Sequence, residues 1–142
     1  MYRVSKRMEI AGAHSLKLPY ESKCANMHGH NWIVTVYCES PCLTEYGMIV
    51  DFKKIKEAIH DKLDHGFINE IVSFNPTAEN MAKWICDEVD KICEVGYCCR
   101  VDVQESEGNV ATYLKSVGER LSKCAAEAAT FVSKERVENE SC

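Results

Sequence analysis

The sequence predicts an α+β domain, and three observations carry that prediction. Residues 32–38, Trp-Ile-Val-Thr-Val-Tyr-Cys, are a run of β-branched and aromatic side chains, the composition of a strand. Two later segments place apolar residues three and four apart: Phe52, Ile55, Ile59 and Leu63 in one, Met81, Trp84/Ile85, Val89 and Ile92 in the other. That is the spacing of amphipathic helices. A further extended run, Tyr97 to Gln104, completes the order β-β-α-α-β, with strands and helices segregated as in α+β folds.

Taken in order, Met8 to His14 reads as a first strand and 32–38 as a second. A turn over Pro41 to Gly47 follows, and Met48-Ile-Val50 resumes extended structure. Asp51 is a good N-cap for the first helix, which ends near Asp64-His65-Gly66. The loop Asn75-Pro76-Thr77 precedes the second helix, with Thr77 or Asn75 as its cap. Leu114, Val117, Leu121, Cys124, Ala128 and Phe131/Val132 mark an additional helix, and Ser133 to Cys142 reads as a frayed polar tail. The chain thus divides into a domain over 1–113 and a helical extension over 114–142.

With 142 residues, 46% apolar and 27% charged, the composition is that of a globular domain, not of a disordered, collagenous or coiled-coil chain. A fold of this size buries roughly 68–70% of its unfolded surface, so it needs no disulfide framework. Nine cysteines, with no Cys-x-x-Cys pair, lack zinc-ribbon spacing. Their odd number, and a start without an apolar stretch, point to reduced core thiols in a cytoplasmic protein. No apolar run approaches ~18 residues, so no membrane span is expected. A net charge of −5 disfavours nonspecific nucleic-acid binding. Residues 1–30 carry five basic and two acidic groups, which suits either an anionic small molecule or an ordinary solvated surface.

His28-Gly29-His30 is the strongest chemical feature. Residues i and i+2 of a strand point to one face, so two imidazoles project together, and His14 on the first strand is the natural third. Three histidines with an open fourth position are the pattern of catalytic zinc. Cys24 is either the fourth ligand of a closed structural site or a thiolate base beside an open one. His60, among Lys and Glu on a helix, reads as a surface group. Asp64-His65 offers an acid–imidazole pair, or only a helix end. Val101, Val103 and Glu105 share one face of the last strand, so Glu105 points inward. It then has a partner, awaits a ligand with adjacent N–H groups, or reaches solvent at the strand end.

In order, Ile10-Ala-Gly-Ala-His14, Cys24-x-x-x-His28-Gly-His30-Asn-Trp32, Gly47-x-x-x-Asp51-Phe52, Leu63-Asp-His65-x-x-x-Asn69, Asn75-Pro-Thr-Ala-Glu-Asn80 and Val103-Gln-Glu105-Ser resemble the motifs of the 6-pyruvoyl-tetrahydropterin synthase family of tunnelling-fold enzymes. The resemblance covers residues 8–113. The three residues between Cys24 and His28 are similar to the queuosine-pathway branch, 6-carboxy-5,6,7,8-tetrahydropterin synthase; the tetrahydrobiopterin branch usually has a longer gap.

The resemblance implies an antiparallel sheet with a two-helix layer, subunits joining into a barrel, and a homohexamer of two trimers with shared active sites. It implies that His14, His28 and His30 bind Zn2+ and that Cys24 is the catalytic thiolate. Asp64 and His65 form the relay, Glu105 anchors the pterin ring, and Thr77 helps hold it. The implied reaction converts 7,8-dihydroneopterin triphosphate to 6-carboxytetrahydropterin with release of acetaldehyde and triphosphate. Lys17, Lys23 and Arg3 are candidates for the triphosphate. The pyruvoyl-forming sibling, and a zinc or pterin-binding module without turnover, are the alternatives. The chain departs from the pattern at Ile10 and Gly12, where Phe and Ala are usual, at Trp32, where Tyr or Phe is usual, and at Ser106, where Thr is common.

Overall fold

The computed structural model describes residues 1–123, 125, 126, 129 and 130. Strand β1 (Tyr2–His14) pairs antiparallel with β2 (His28–Ser40) over its full length, from Tyr2 opposite Ser40 to His14 opposite His28. A helical run follows as α1 (Phe52–Ile55), a π turn (Lys56–His60) and α2 (Asp61–Leu63). Then come β3 (Gly66–Phe67), α3 (Ile68–Ile71), α4 (Ala78–Ile92), β4 (Tyr97–Ser106) and β5 (Asn109–Leu114). The sheet order is β3-β1-β2-β4-β5. Its four long strands are antiparallel; the two-residue β3 adds in parallel to Gly12 and Ala13.

One face of the sheet builds the core. Met8, Ile10, Trp32, Val34, Val36, Val101 and Val103 meet Ile55, Ile59, Leu63, Met81, Ile85 and Val89 from the helices, and all are buried. Each such side chain contributes roughly 1.5–3 kcal/mol by leaving water. On the other face, Arg7, Glu9 and Asn31 are exposed. Asp51 caps the first helix by accepting from the Lys53 N–H, and Thr77 caps α4 by accepting from the Asn80 N–H. Asp51 is the cap expected from the sequence, and of the two candidates for the second helix, Thr77 and Asn75, Thr77 is the cap.

Four expectations are corrected. Met48-Ile-Val50 is not a strand; Ile49 and Val50 are buried in an irregular segment after a turn held by Thr44 and Met48. Phe52 does not join the buried helical stripe; it is exposed, beneath the Lys6 ammonium. The strands β3 and β5 are additional. Leu114 ends β5 instead of opening a helix, and helical backbone begins at 117. Cys124, Ala128, Phe131, Val132 and the tail from Ser133 lie outside the described residues. Val117 and Leu121 are exposed. Lys123 reaches back to the carbonyl of Asp90 at the end of α4.

Candidate metal centre and substrate cleft

The core face of the sheet ends in histidine. Along β1 it carries Ile10, Gly12 and His14, and along β2 Trp32, His30 and His28. The hydrogen-bonded register sets His14 opposite His28, so strand pairing alone brings the rings together. Ring centroids are 4.5 Å apart for His14–His28, 5.3 Å for His14–His30 and 4.9 Å for His28–His30. Each offers a ligand atom within 4.8 Å of the other two.

Backbone carbonyls orient two of the rings. The Nδ1–H of His14 donates to the Pro76 carbonyl and that of His28 to the Asn26 carbonyl, both at 2.8 Å. Because a carbonyl only accepts, the Nε2 atoms keep their lone pairs, the tautomer a metal needs. The Nε2 atoms of His14 and His30 are buried without a hydrogen-bond partner. Orphaned buried acceptors cost free energy unless something binds them, so these three residues fit a metal ion. Burial, joined by repulsion from His28 and His30, lowers the His14 pKa below the usual imidazole value and keeps it neutral.

Glu105 follows the two buried valines Val101 and Val103 and sits at an irregularity in the β4–β5 register between Gln104 and Ser106. An extra residue here re-aims the side chain. Its Oε1 lies 3.3 Å from His14 Nε2 and 3.9 Å from His30 Nε2. The solvent-reaching reading of Glu105 is therefore set aside: its side chain is 26% exposed and turned to the histidines.

Cys24 lies on a single 3₁₀ turn, Lys23–Ala25, whose cap Ser22 accepts from the Cys24 N–H at 3.1 Å. Its thiol is exposed and outside the group of mutually close donor atoms. A cavity of about 530 Å³ gathers Cys24, Thr77 and Glu105 with Tyr20, Glu79 and Asn109. That volume suits a small-molecule ligand. Glu79, quoted in the sequence only within a motif, is thus a second cleft carboxylate; its position in the first turn of α4 was the available signal.

Asp64 and His65 belong elsewhere within the chain. His65 lines a depression of about 390 Å³ together with Gly29, His30 and Asn31. Asp64 Oδ1 accepts from the Ala11 N–H at 2.9 Å, the His65 N–H donates to the Ala11 carbonyl at 2.6 Å, and His65 Nδ1–H donates to Asp64 Oδ2 at 2.8 Å. The Ala11 bond, then that of His65, lowers the Asp64 pKa. His65 holds φ at +57° with its side chain 84% exposed. A non-glycine residue there stores on the order of 1 kcal/mol, a strain that clusters at functional sites. Arg3, by contrast, lies eleven residues from His14 along β1, about 36 Å away at ~3.3 Å per residue, and is paired with Glu39. Within one chain it is remote from the cleft.

Residues 3–116 match the family model described as 6-pyruvoyl tetrahydropterin synthase. The chain is 27% identical over 128 residues to the 6-carboxy-5,6,7,8-tetrahydropterin synthase of Bacillus subtilis, covering 82% of this chain and 88% of that protein. It is 33% identical over 133 residues to the 6-pyruvoyl tetrahydrobiopterin synthase of Homo sapiens, covering 78% and 90%. The 6-pyruvoyl tetrahydropterin synthase of Caenorhabditis elegans superposes with a TM-score of 0.65 at 24% identity, over 81% of this chain and 96% of that one; this likeness speaks for the fold. A match spanning the sheet, the helices packed on it and every site residue makes the chain a member of the 6-pyruvoyl tetrahydropterin synthase family.

Proposed function

We propose that this chain is a zinc-dependent lyase that converts 7,8-dihydroneopterin triphosphate to 6-carboxy-5,6,7,8-tetrahydropterin, releasing acetaldehyde and triphosphate, in queuosine biosynthesis. The observation that carries the reading is the adjacency of the His14–His28–His30 donor set to a cleft holding Cys24, Thr77 and Glu105. His14, His28 and His30 would hold the metal. When bound, zinc supplies Lewis acidity that polarises side-chain hydroxyls of the substrate and acidifies the neighbouring C–H protons. Cys24 moves those protons as the thiolate. Glu105 accepts from the N–H edge of the pterin through paired hydrogen bonds. The Thr77 backbone and hydroxyl border the ring.

Asp64 orients His65, which serves the opposite side of the substrate side chain. Since His65 lines a depression that does not include Cys24, the pair reaches Cys24 from a neighbouring subunit. Free sheet edges support such an assembly, a hexamer of two trimers. Among the described residues β1 is paired on its outer side only at Gly12 and Ala13, and β5 is terminal. Unpaired edges of this length seek partners. The protein acts in the cytoplasm.

The identity to the human pyruvoyl-forming enzyme favours one second reading, triphosphate elimination to 6-pyruvoyl-tetrahydropterin. Product analysis by mass spectrometry decides between them. Reduced, zinc-loaded protein given 7,8-dihydroneopterin triphosphate is expected to yield carboxytetrahydropterin and an equal amount of acetaldehyde. Pyruvoyl-tetrahydropterin without acetaldehyde would assign the other branch, and unconsumed substrate would overturn both.

A further inference from the structure

Among the described residues, no hydrogen bond orients either ring nitrogen of His30, whereas His14 and His28 each have a carbonyl partner. Its ring is held by other rings. Trp32, two residues on along the same face of β2, stands edge-on to His30 at 5.5 Å and 86°, and to His14 at 4.7 Å and 82°. The indole is itself fixed. It is 2% exposed, and its Nε1–H donates to the Gly12 carbonyl at 3.1 Å. Turning the ring would leave a buried donor unpaired.

The seat of this ring is made by two residues on β1, one of them a glycine. Ile10 is the cross-strand partner of Trp32, and Gly12 that of His30. A Cβ at position 12 would stand 3.3 Å from Ile68 Cδ1 and 3.5 Å from the Leu63 carbonyl, so the strand lies close against α2 and α3 there. The strand register puts positions 10, 12 and 32 in one place, and a volume-conserving exchange between the facing positions 10 and 32 is one the core can accommodate.

We propose that Trp32 is a positioning residue for the metal centre: seated on Ile10 and tied to Gly12, its indole sets the ring planes of His30 and His14, doing for His30 what carbonyls do for the other two ligands. The proposal rests on the metal reading above. Outer-shell partners of metal ligands typically govern affinity by 10–100-fold.

The test is the affinity for Zn2+ and Co2+, read by competition with a chromophoric chelator, in the parent, W32F and I10F/W32F. W32F should bind at least about tenfold more weakly and shift the Co2+ visible bands, and the double variant, which returns ring volume from the facing strand, should regain most of the affinity. W32F that loses thermal stability yet binds within about twofold of the parent would overturn the proposal, leaving the indole as packing alone. In W84F, where Trp32 is the remaining tryptophan, saturating Zn2+ should change the emission. Unchanged emission would also overturn it. A parent that binds neither metal would overturn the metal reading and this inference together, an outcome distinct from failure of W32F alone.

Discussion

At the far end of the sheet from the histidines, the carboxylates of Glu39, Asp90 and Asp102 all have partners. Arg3 Nε donates to Glu39 at 2.7 Å, and the Tyr97 hydroxyl donates to the same carboxylate at 3.2 Å. Arg100 and Thr112 both donate to Asp102. Asp90 receives the Cys98 N–H and the buried Lys115 ammonium. At the histidine end of the same strands, two ring nitrogens are buried without partners, a carboxylate turns toward them, and His65 holds a left-handed backbone. The contrast separates polar groups that stabilise the fold from polar groups kept for a ligand. A protein satisfies its buried polar atoms unless it has a use for them unsatisfied.

Substitutions at the two ends should therefore fail in different ways. The largest effects belong to the histidine end. Replacing His30 by Gln should remove most bound metal and all turnover, with folding retained. Replacing Cys24 by Ala should abolish turnover while metal content, read by atomic absorption, stays near that of the parent; loss of the metal would make Cys24 a ligand and erase the distinction between the two residues.

An intermediate effect is expected at the paired end. Asp90→Asn leaves the Lys115 ammonium buried without its counter-charge, and should lower unfolding stability by about 2–3 kcal/mol. Metal affinity should not move. A coupled loss of metal would mean that the two ends are not independent.

The smallest effect is a pH dependence. The pKa of His14 is lowered in the folded chain, so the unfolded chain binds the proton more readily. Stability from this group is present above the unfolded imidazole range, near ~6.5, and falls as pH falls below it. Thermal unfolding of metal-free protein across this window should show that slope, and His14→Gln should flatten it. An unchanged slope would place the titration elsewhere.

Much of this was legible in the chain, for a physical reason. The alternation around His28-Gly29-His30 and Val101-x-Val103 is a property of extended backbone, so the face of each side chain follows from the strand itself, whereas the aim of Glu105 is set at the β4–β5 irregularity. Caps at Asp51 and Thr77 are equally local. Leu114 was harder, because β5 has one exposed face and only six residues. The two residues of β3 carry no pattern at all; they pair because α2 delivers Gly66 beside Gly12.

By itself, the sequence determined which residue types were available and which face of which strand they occupy, since periodicity is local. Only the tertiary structure decided that His14 stands across from His28, that Ile10, Gly12 and Trp32 form one seat, that Arg3 lies far from the cleft, and that His65 opens to a different cavity from Cys24. Those are matters of register and of strand length, set by hydrogen bonds between segments that no local pattern encodes.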